Sequence, residues 1–118
     1  MSISRTTIEA NSMTRSSQRT RRPSLPGEIL AELYLAPHGV SIAAFAEACG
    51  VTRKHMSQIV NGHAAITAEM ATRMATVLGT TPQYWLNLQN AVDLYDAQER
   101  LASSEPRPQL MPVFANDR

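Results

Sequence analysis

The chain of 118 residues contains one cysteine, and aromatic residues make up only 5% of it. Cys49 cannot form an internal disulfide, which is typical of proteins that stay in a reducing cytoplasm. No stretch approaches the roughly 18 consecutive apolar residues that a membrane-spanning helix needs. The hydrophobic share of 43% is still enough for one modest core. These features predict a soluble single-domain protein without membrane association.

The net charge of +1 hides an uneven distribution along the chain. Residues 1–22 carry five arginines and one glutamate, a charge of +4, whereas residues 23–118 carry a charge of −3. Because residues 1–22 contain few large apolar side chains, we expect a flexible, disordered basic arm. Translation could start at Met1 or at Met13. At the other end, three prolines in residues 103–118 predict a tail, either frayed or packed onto the body or a partner.

Start and stop signals divide residues 23–102 into five predicted helices. The first begins at Pro26 and is predicted to bury a helical stripe of Ile29, Leu30 and Leu33, extended by Tyr34. The other four begin after hydroxyl residues that can cap a helix N-terminus, namely Ser41, Thr52, Thr67 and Thr81. No segment alternates with the period of a strand, so the predicted fold is all-α.

Only three residues, Gly50-Val51-Thr52, separate the second and third predicted helices. Glycine readily adopts the left-handed backbone that turns the chain at the end of a helix. Phe45, Ala46 and Cys49 are expected to face inward, and Ala46 is small where the two helices must cross. This arrangement is typical of a helix-turn-helix, whose second helix enters the major groove of DNA.

The third helix, residues 53 to about 61, has two chemically different sides. Its apolar side consists of Met56, Ile59 and Val60, with Val51 just before it. Its exposed side carries no carboxylate and consists of Arg53, Lys54, Ser57, Gln58 and Asn61. Phosphate oxygens accept hydrogen bonds from such cations, hydroxyls and amides, and base edges pair with the same groups. The pattern predicts DNA recognition, and the alternative is the solvated face of any small helical bundle.

Four short motifs follow one another along this region: PGEIL at 26–30, VNG at 60–62, IT at 66–67 and TTPQYWLNLQNAVDL at 80–94. Through them, residues 23–102 resemble the HigA-type antitoxins, a branch of the lambda-repressor-like helix-turn-helix proteins. The resemblance implies a homodimer that binds a palindromic operator upstream of its own gene, in the bacterial cytoplasm and nucleoid. It also implies a partner, a HigB-type toxin that is a ribosome-dependent mRNA endonuclease. The alternative function is a stand-alone transcriptional repressor with no toxin.

The same resemblance assigns roles to individual residues. The positions that meet base edges in such repressors are Arg53, Lys54, Ser57 and Gln58. The positions that contact phosphate are Thr52 and Asn61. Many related repressors place a phosphate-contacting glutamine one residue into the second helix. That position is Ile42 here, so Ser41 is expected to make the contact instead.

Sites of other kinds receive little support from the sequence. His38, His55 and His63 lack the i, i+4 spacing of a helical pair of metal ligands, so we predict no metal and no cofactor. His55 and His63 flank the predicted DNA face and are close enough in sequence to touch phosphate. No nucleophile lies near a suitable base in a recognisable pattern, so we predict that the chain is not an enzyme.

The fifth helix carries an apolar stripe that is wider than so small a body is expected to bury. Its members are Trp85, Leu88, Val92 and Tyr95, widened by Tyr84, Ala91 and Leu94. Such a stripe is usually core, but large aromatic residues are also enriched at interfaces between chains. We therefore predict that Trp85, Leu88, Val92 and Tyr95 form a dimer interface.

Carboxylates gather towards the C-terminal end of the fifth helix, at Asp93, Asp96 and Glu99. They follow one another at intervals of three, so they run along one side of the helix. A toxin that cleaves RNA is expected to be cationic, which makes this acidic stripe the predicted toxin contact. Two alternatives stay open, a merely solvated face and a rival acidic patch at Glu28, Glu32 and Glu47.

Overall fold

The computed structural model describes residues 21–115, and every regular element in that range is helical. Helix α1 spans Pro26–Ile29 and continues as a π-helical segment over Leu30–Leu35. The later helices are α2 (Ile42–Cys49), α3 (Arg53–Val60), α4 (Ala68–Leu78) and α5 (Pro82–Ala102), followed by a 3-10 turn at Pro112–Phe114. The predicted all-α, five-helix architecture is confirmed over these residues. Most of the predicted basic arm, residues 1–20, lies outside them.

Four of the five helices begin at the hydroxyl residues that the sequence predicts. Each side-chain oxygen accepts a hydrogen bond of 3.0–3.2 Å from the backbone N–H three residues further on, at Ser41, Thr52, Thr67 and Thr81. These bonds satisfy donors that the first helical turn otherwise leaves unpaired. None of the helices described here combines the length and the apolar character needed to cross a membrane.

The first helix departs from the predicted buried stripe at one position, Leu33, while Ile29 and Tyr34 pack against the core. Leu33 is 59% exposed, whereas Leu30 and Leu35 are buried. The backbone here is π-helical, and the Ala36 N–H donates to the Ala31 oxygen, five residues back, at 2.9 Å. Because residues five apart share one side of such a helix, Leu35 takes the inward position below Leu30. The prediction that Leu33 is a core residue is wrong.

Trp85, in the first turn of α5, is fully buried in the core. Its indole Nε1 donates to Thr80 Oγ1 at 2.8 Å. The rings of Tyr34 and Tyr84 lie beside it, at centroid distances of 5.4 and 5.0 Å. These contacts fix the first turns of α5 against the first helix.

The burial of α5 corrects part of the predicted dimer interface. Trp85 and Val92 are 0% and 2% exposed within one chain, so they have no surface to offer a second copy. Leu88 and Tyr95 are half-buried. A helical stripe in a sequence shows that something covers it, but it does not show whether the cover is the same chain or another. Here the chain itself covers Trp85 and Val92.

Gly27 allows α1 to lie directly on α3. A Cβ atom at this position would meet the Ile59 carbonyl oxygen at 2.1 Å and the Val60 Cα at 2.8 Å. Both are backbone atoms, so they cannot move aside as a flexible side chain would. The contact between the two helices therefore requires glycine, and it supports α3 from the side opposite its polar face.

Candidate nucleic-acid interface

Helices α2 and α3 form the helix-turn-helix that the sequence predicts. Gly50 has φ 79° and ψ 30°, the left-handed conformation that ends α2 and redirects the chain. The Val51 N–H then donates to the Ala46 oxygen at 3.0 Å, which closes the turn. Ala46 is buried, together with its predicted inward neighbours Phe45 and Cys49. The buried side of α2 anchors the turn, so α3 leaves it in a defined direction.

The polar residues predicted on α3 share one surface. They line an open groove together with His63, and they are Arg53, Lys54, Ser57, Gln58 and Asn61. On the other side of the helix, Met56 and Ile59 are buried at 0% and 1% exposure. Strong burial of one side fixes the rotation of α3, so the groove residues face solvent together.

The side chains of this groove are available for binding. Arg53, Lys54, Gln58 and Asn61 are exposed, and Ser57 is half-buried. Within the described chain neither cation forms an ion pair, and no carboxylate lines the groove. The Asn61 amide donates to Ser57 Oγ at 3.2 Å, which leaves the amide oxygen free to accept. The groove therefore offers positive charge and hydrogen-bonding groups to an anionic partner.

Thr52 and Ser41 are placed at the N-termini of α3 and α2, and both are exposed. Each oxygen already accepts a capping hydrogen bond, but the hydroxyl hydrogen remains available as a donor. The N-terminus of a helix also carries a partial positive charge. Both hydroxyls are thus suited to phosphate, as the sequence predicts, although they do not line the groove of α3.

Arg73, for which the sequence predicts no role, contacts the turn between α2 and α3. Arg73 lies on α4, and its Nη1 donates to the Cys49 oxygen at 2.9 Å. Its Nε and Nη2 donate to Glu69 Oε2 at 3.2 and 3.0 Å. No local pattern predicts the contact with Cys49, since the two residues are 24 positions apart. Only the i, i+4 pair with Glu69 is visible in the sequence.

The predicted acidic stripe on α5 is partly engaged within the chain. Arg22 donates to both oxygens of Asp96, at 2.9 and 2.8 Å. This hydrogen-bonded guanidinium holds the pKa of the Asp96 carboxyl below its usual range. Asp93 accepts from the Gln89 amide at 3.0 Å, and Glu99 is exposed. Arg22, predicted as the end of a free arm, instead contacts α5.

The rival acidic patch is also exposed. Glu28, Glu32 and Glu47 all have solvent-accessible side chains, and Glu28 Oε1 accepts from the Leu25 N–H at 3.2 Å.

Among residues 21–115, no group of three or more His, Cys, Asp or Glu side chains is placed to hold a metal ion. Burial raises the pKa of the Cys49 thiol, which keeps it in its neutral form.

Known proteins resemble this chain in sequence and in fold. A family described as helix-turn-helix matches residues 30–85. Antitoxin HigA-1 of Vibrio cholerae serotype O1 is 46% identical over 80 residues, which are 68% of this chain and 75% of that protein. The uncharacterized HTH-type transcriptional regulator YbaQ of Escherichia coli K12 is 42% identical over 88 residues, 75% of this chain and 78% of YbaQ.

A solved structure extends the similarity to three dimensions. Pseudomonas aeruginosa antitoxin HigA with the higBA promoter superimposes with a TM-score of 0.66 at 36% identity. The match covers 75% of this chain and 100% of that one. These relatives are antitoxins and transcriptional regulators rather than enzymes, as predicted. The chain therefore belongs to the HigA-type antitoxins within the helix-turn-helix family of DNA-binding regulators.

Proposed function

We propose that the chain is the antitoxin of a two-protein module, which represses its own operon as a dimer and neutralises a HigB-type mRNA endonuclease. The polar face of α3 carries this proposal. It presents Arg53, Lys54 and Gln58 next to one another on a helix held by a buried opposite side. Arginine and lysine pair with guanine edges and glutamine with adenine edges, so these side chains suit the major groove.

The remaining predicted groups suit the DNA backbone. Thr52 and Ser41 offer hydroxyls at two helix N-termini, and Asn61 offers an amide at the C-terminal end of α3, whereas Ser57 belongs with the residues proposed for base edges. Contacts of this kind fix the position of the protein on the duplex, whereas base contacts provide sequence preference. In the relative from Pseudomonas aeruginosa, the antitoxin is bound to its promoter, which supports the same use of this fold here.

A palindromic operator requires two copies of the chain, one for each half-site. The exposed side of α5 suits this contact. Leu94 and Leu101 are 59% and 47% exposed and lie seven residues apart, with Ala91 three residues before Leu94 and Gln98, between the two leucines, three residues before Leu101. This three-four spacing is that of helices that pair side by side. The carboxylates of the acidic stripe fall off this seam, so they do not oppose pairing.

The toxin contact is proposed on the acidic stripe of α5, at Asp93, Asp96 and Glu99. Its charge is opposite to that expected of an RNA-cleaving toxin, while the DNA face of α3 is cationic. Because the two faces carry opposite charge, one chain can present separate surfaces to toxin and to DNA. The interaction would take place in the cytoplasm, where both the operon and its mRNA are found.

Two experiments test the function. A footprint on the DNA upstream of the gene should reveal a protected palindrome. Co-expression with the neighbouring open reading frame should relieve growth arrest caused by that reading frame alone. A protected palindrome without any toxic neighbour would instead favour the second candidate, a stand-alone repressor, which the similarity to YbaQ supports.

A further inference from the structure

We propose that Arg73 is a positioning residue for DNA recognition, and that its guanidinium fixes the turn from which α3 is presented. This inference rests on the proposed function. Arg73 lies on α4, outside the helix-turn-helix, and it does not line the groove of α3. Its side chain reaches the turn from the side and contacts backbone rather than side-chain atoms of α2.

The contact occupies the C-terminal end of α2. Arg73 Nη1 donates to the Cys49 oxygen at 2.9 Å and lies 3.5 Å from the Gly50 oxygen. The last carbonyls of a helix have no partner within the helix, and they attract cations through the helix dipole. Arg73 supplies both the donor and the charge. Since α3 begins at Arg53, three residues after Gly50, the direction of these carbonyls determines how α3 leaves the turn.

A second residue holds the guanidinium in place. Glu69 Oε2 accepts from both Nε and Nη2, which orients the plane of the guanidinium. On the other side, a Cβ at Gly50 would come within 2.9 Å of Nη1. The positive φ of Gly50 is what requires glycine there, and the short distance shows only that the guanidinium lies close against the turn. A lysine could reach one carbonyl but could not reproduce this bidentate orientation by Glu69.

The role differs from two simpler ones in what it predicts. A residue that only stabilises the fold would change the melting temperature and leave operator affinity intact at temperatures well below it. A residue that touches phosphate would weaken binding to every sequence equally and lower the salt slope by about one unit. A positioning residue lowers affinity for the operator more than affinity for random DNA, and it leaves the salt slope unchanged.

The test compares Arg73→Met, Arg73→Lys and Glu69→Gln with the wild-type chain and with Arg100→Met. Arg100 lies on α5, so its substitution controls for the loss of one charge. Fluorescence anisotropy measures binding to the footprinted operator duplex and to a scrambled duplex over a salt series, and circular dichroism measures melting. We expect Arg73→Met to lower operator affinity at least about tenfold, because a displaced α3 weakens its base contacts in both half-sites of the operator. Arg73→Lys should recover part of the loss, and Glu69→Gln should show a smaller one.

Several results would overturn the positioning role. One is an Arg73→Met variant that binds the operator as tightly as Arg100→Met does. Another is an equal loss on operator and scrambled DNA with a lower salt slope. If Arg73→Met does not fold, the other two variants decide the question. Operator affinity equal to that of the wild type in both Arg73→Lys and Glu69→Gln would then overturn the positioning role. A wild-type chain that binds operator and scrambled DNA equally well would overturn the proposed function itself. The wild-type measurement therefore distinguishes failure of the proposed function from failure of the positioning role of Arg73.

Discussion

Arg22 and Asp96 are 74 positions apart in the sequence, and their side chains form a two-point ion pair with N–O distances of 2.9 and 2.8 Å. The pair joins the segment before α1 to the C-terminal half of α5. Both side chains are substantially exposed, at 46% and 36%, so solvent screens the attraction and its effect on stability is small. We expect a larger effect on the proposed toxin contact, because Arg22 neutralises one of its three carboxylates.

Removal of Arg22 should therefore strengthen the electrostatic attraction of the acidic stripe. We expect Arg22→Ala to raise the association rate of a purified cationic toxin at low salt, because Asp96 then faces solvent alone.

The triple variant Asp93→Asn, Asp96→Asn, Glu99→Gln should lower that association rate and leave operator binding intact. Surface plasmon resonance measures both, with Glu105→Gln as the control for a carboxylate beyond the helix. Unchanged association rates in both variants would show that the toxin does not bind the acidic stripe. The patch of Glu28, Glu32 and Glu47 would then be the next candidate.

The seam on α5 predicts the oligomeric state. Leu94→Glu combined with Leu101→Glu should convert a dimer into a monomer, because pairing would bring four carboxylates together in an apolar contact. Sedimentation equilibrium on dilute protein measures the mass. Leu110→Glu changes an even more exposed leucine, at 72%, in the C-terminal tail and should leave the mass unchanged. A double variant that remains dimeric would show that the copies pair through another surface.

The contact of α1 with α3 predicts a stability effect at Gly27. We expect Gly27→Ala to lower the free energy of unfolding by about 3 kcal/mol, the upper end of the usual cost of overpacking. The added methyl group would meet backbone atoms of α3 that cannot move aside. Urea denaturation gives the value.

Gly39→Ala is the matched control for that substitution. No atom lies within 4 Å of its would-be Cβ, and its φ of 66° leaves only left-handed backbone strain of about 1 kcal/mol. If Gly27→Ala is no less stable than Gly39→Ala, the close approach of α1 and α3 does not constrain the fold.

The sequence predicts those features that are local. The hydroxyl caps, the turn at Gly50 and the two sides of α3 all depend on residues within a few positions of one another, and the structure has them as expected. Hydrophobic periodicity does not identify which part of the protein covers an apolar stripe. It shows that Trp85 and Val92 are covered, but it cannot show that their own chain covers them.

Other features were out of reach for different physical reasons. The π-helical backbone moves the core position from Leu33 to Leu35. The residue types in this segment do not predict the change from α-helical to π-helical periodicity. The contacts of Arg22 with Asp96 and of Arg73 with Cys49 join distant parts of the chain. Both depend on how the helices pack, which is known only once the fold is known.

Operator binding by the wild-type chain, Arg53→Ala and Lys54→Ala, titrated in a gel shift at one fixed salt concentration, tests DNA recognition by α3 most directly. Each base contact contributes roughly 1–3 kcal/mol, and a symmetric dimer loses it in both half-sites. We expect either variant to bind the operator about 30-fold more weakly or worse, with helicity and oligomeric state unchanged. Arg100→Ala, which removes a cation from α5, should bind almost as the wild type does. Wild-type affinity in both α3 variants would contradict the assignment of this face to the major groove.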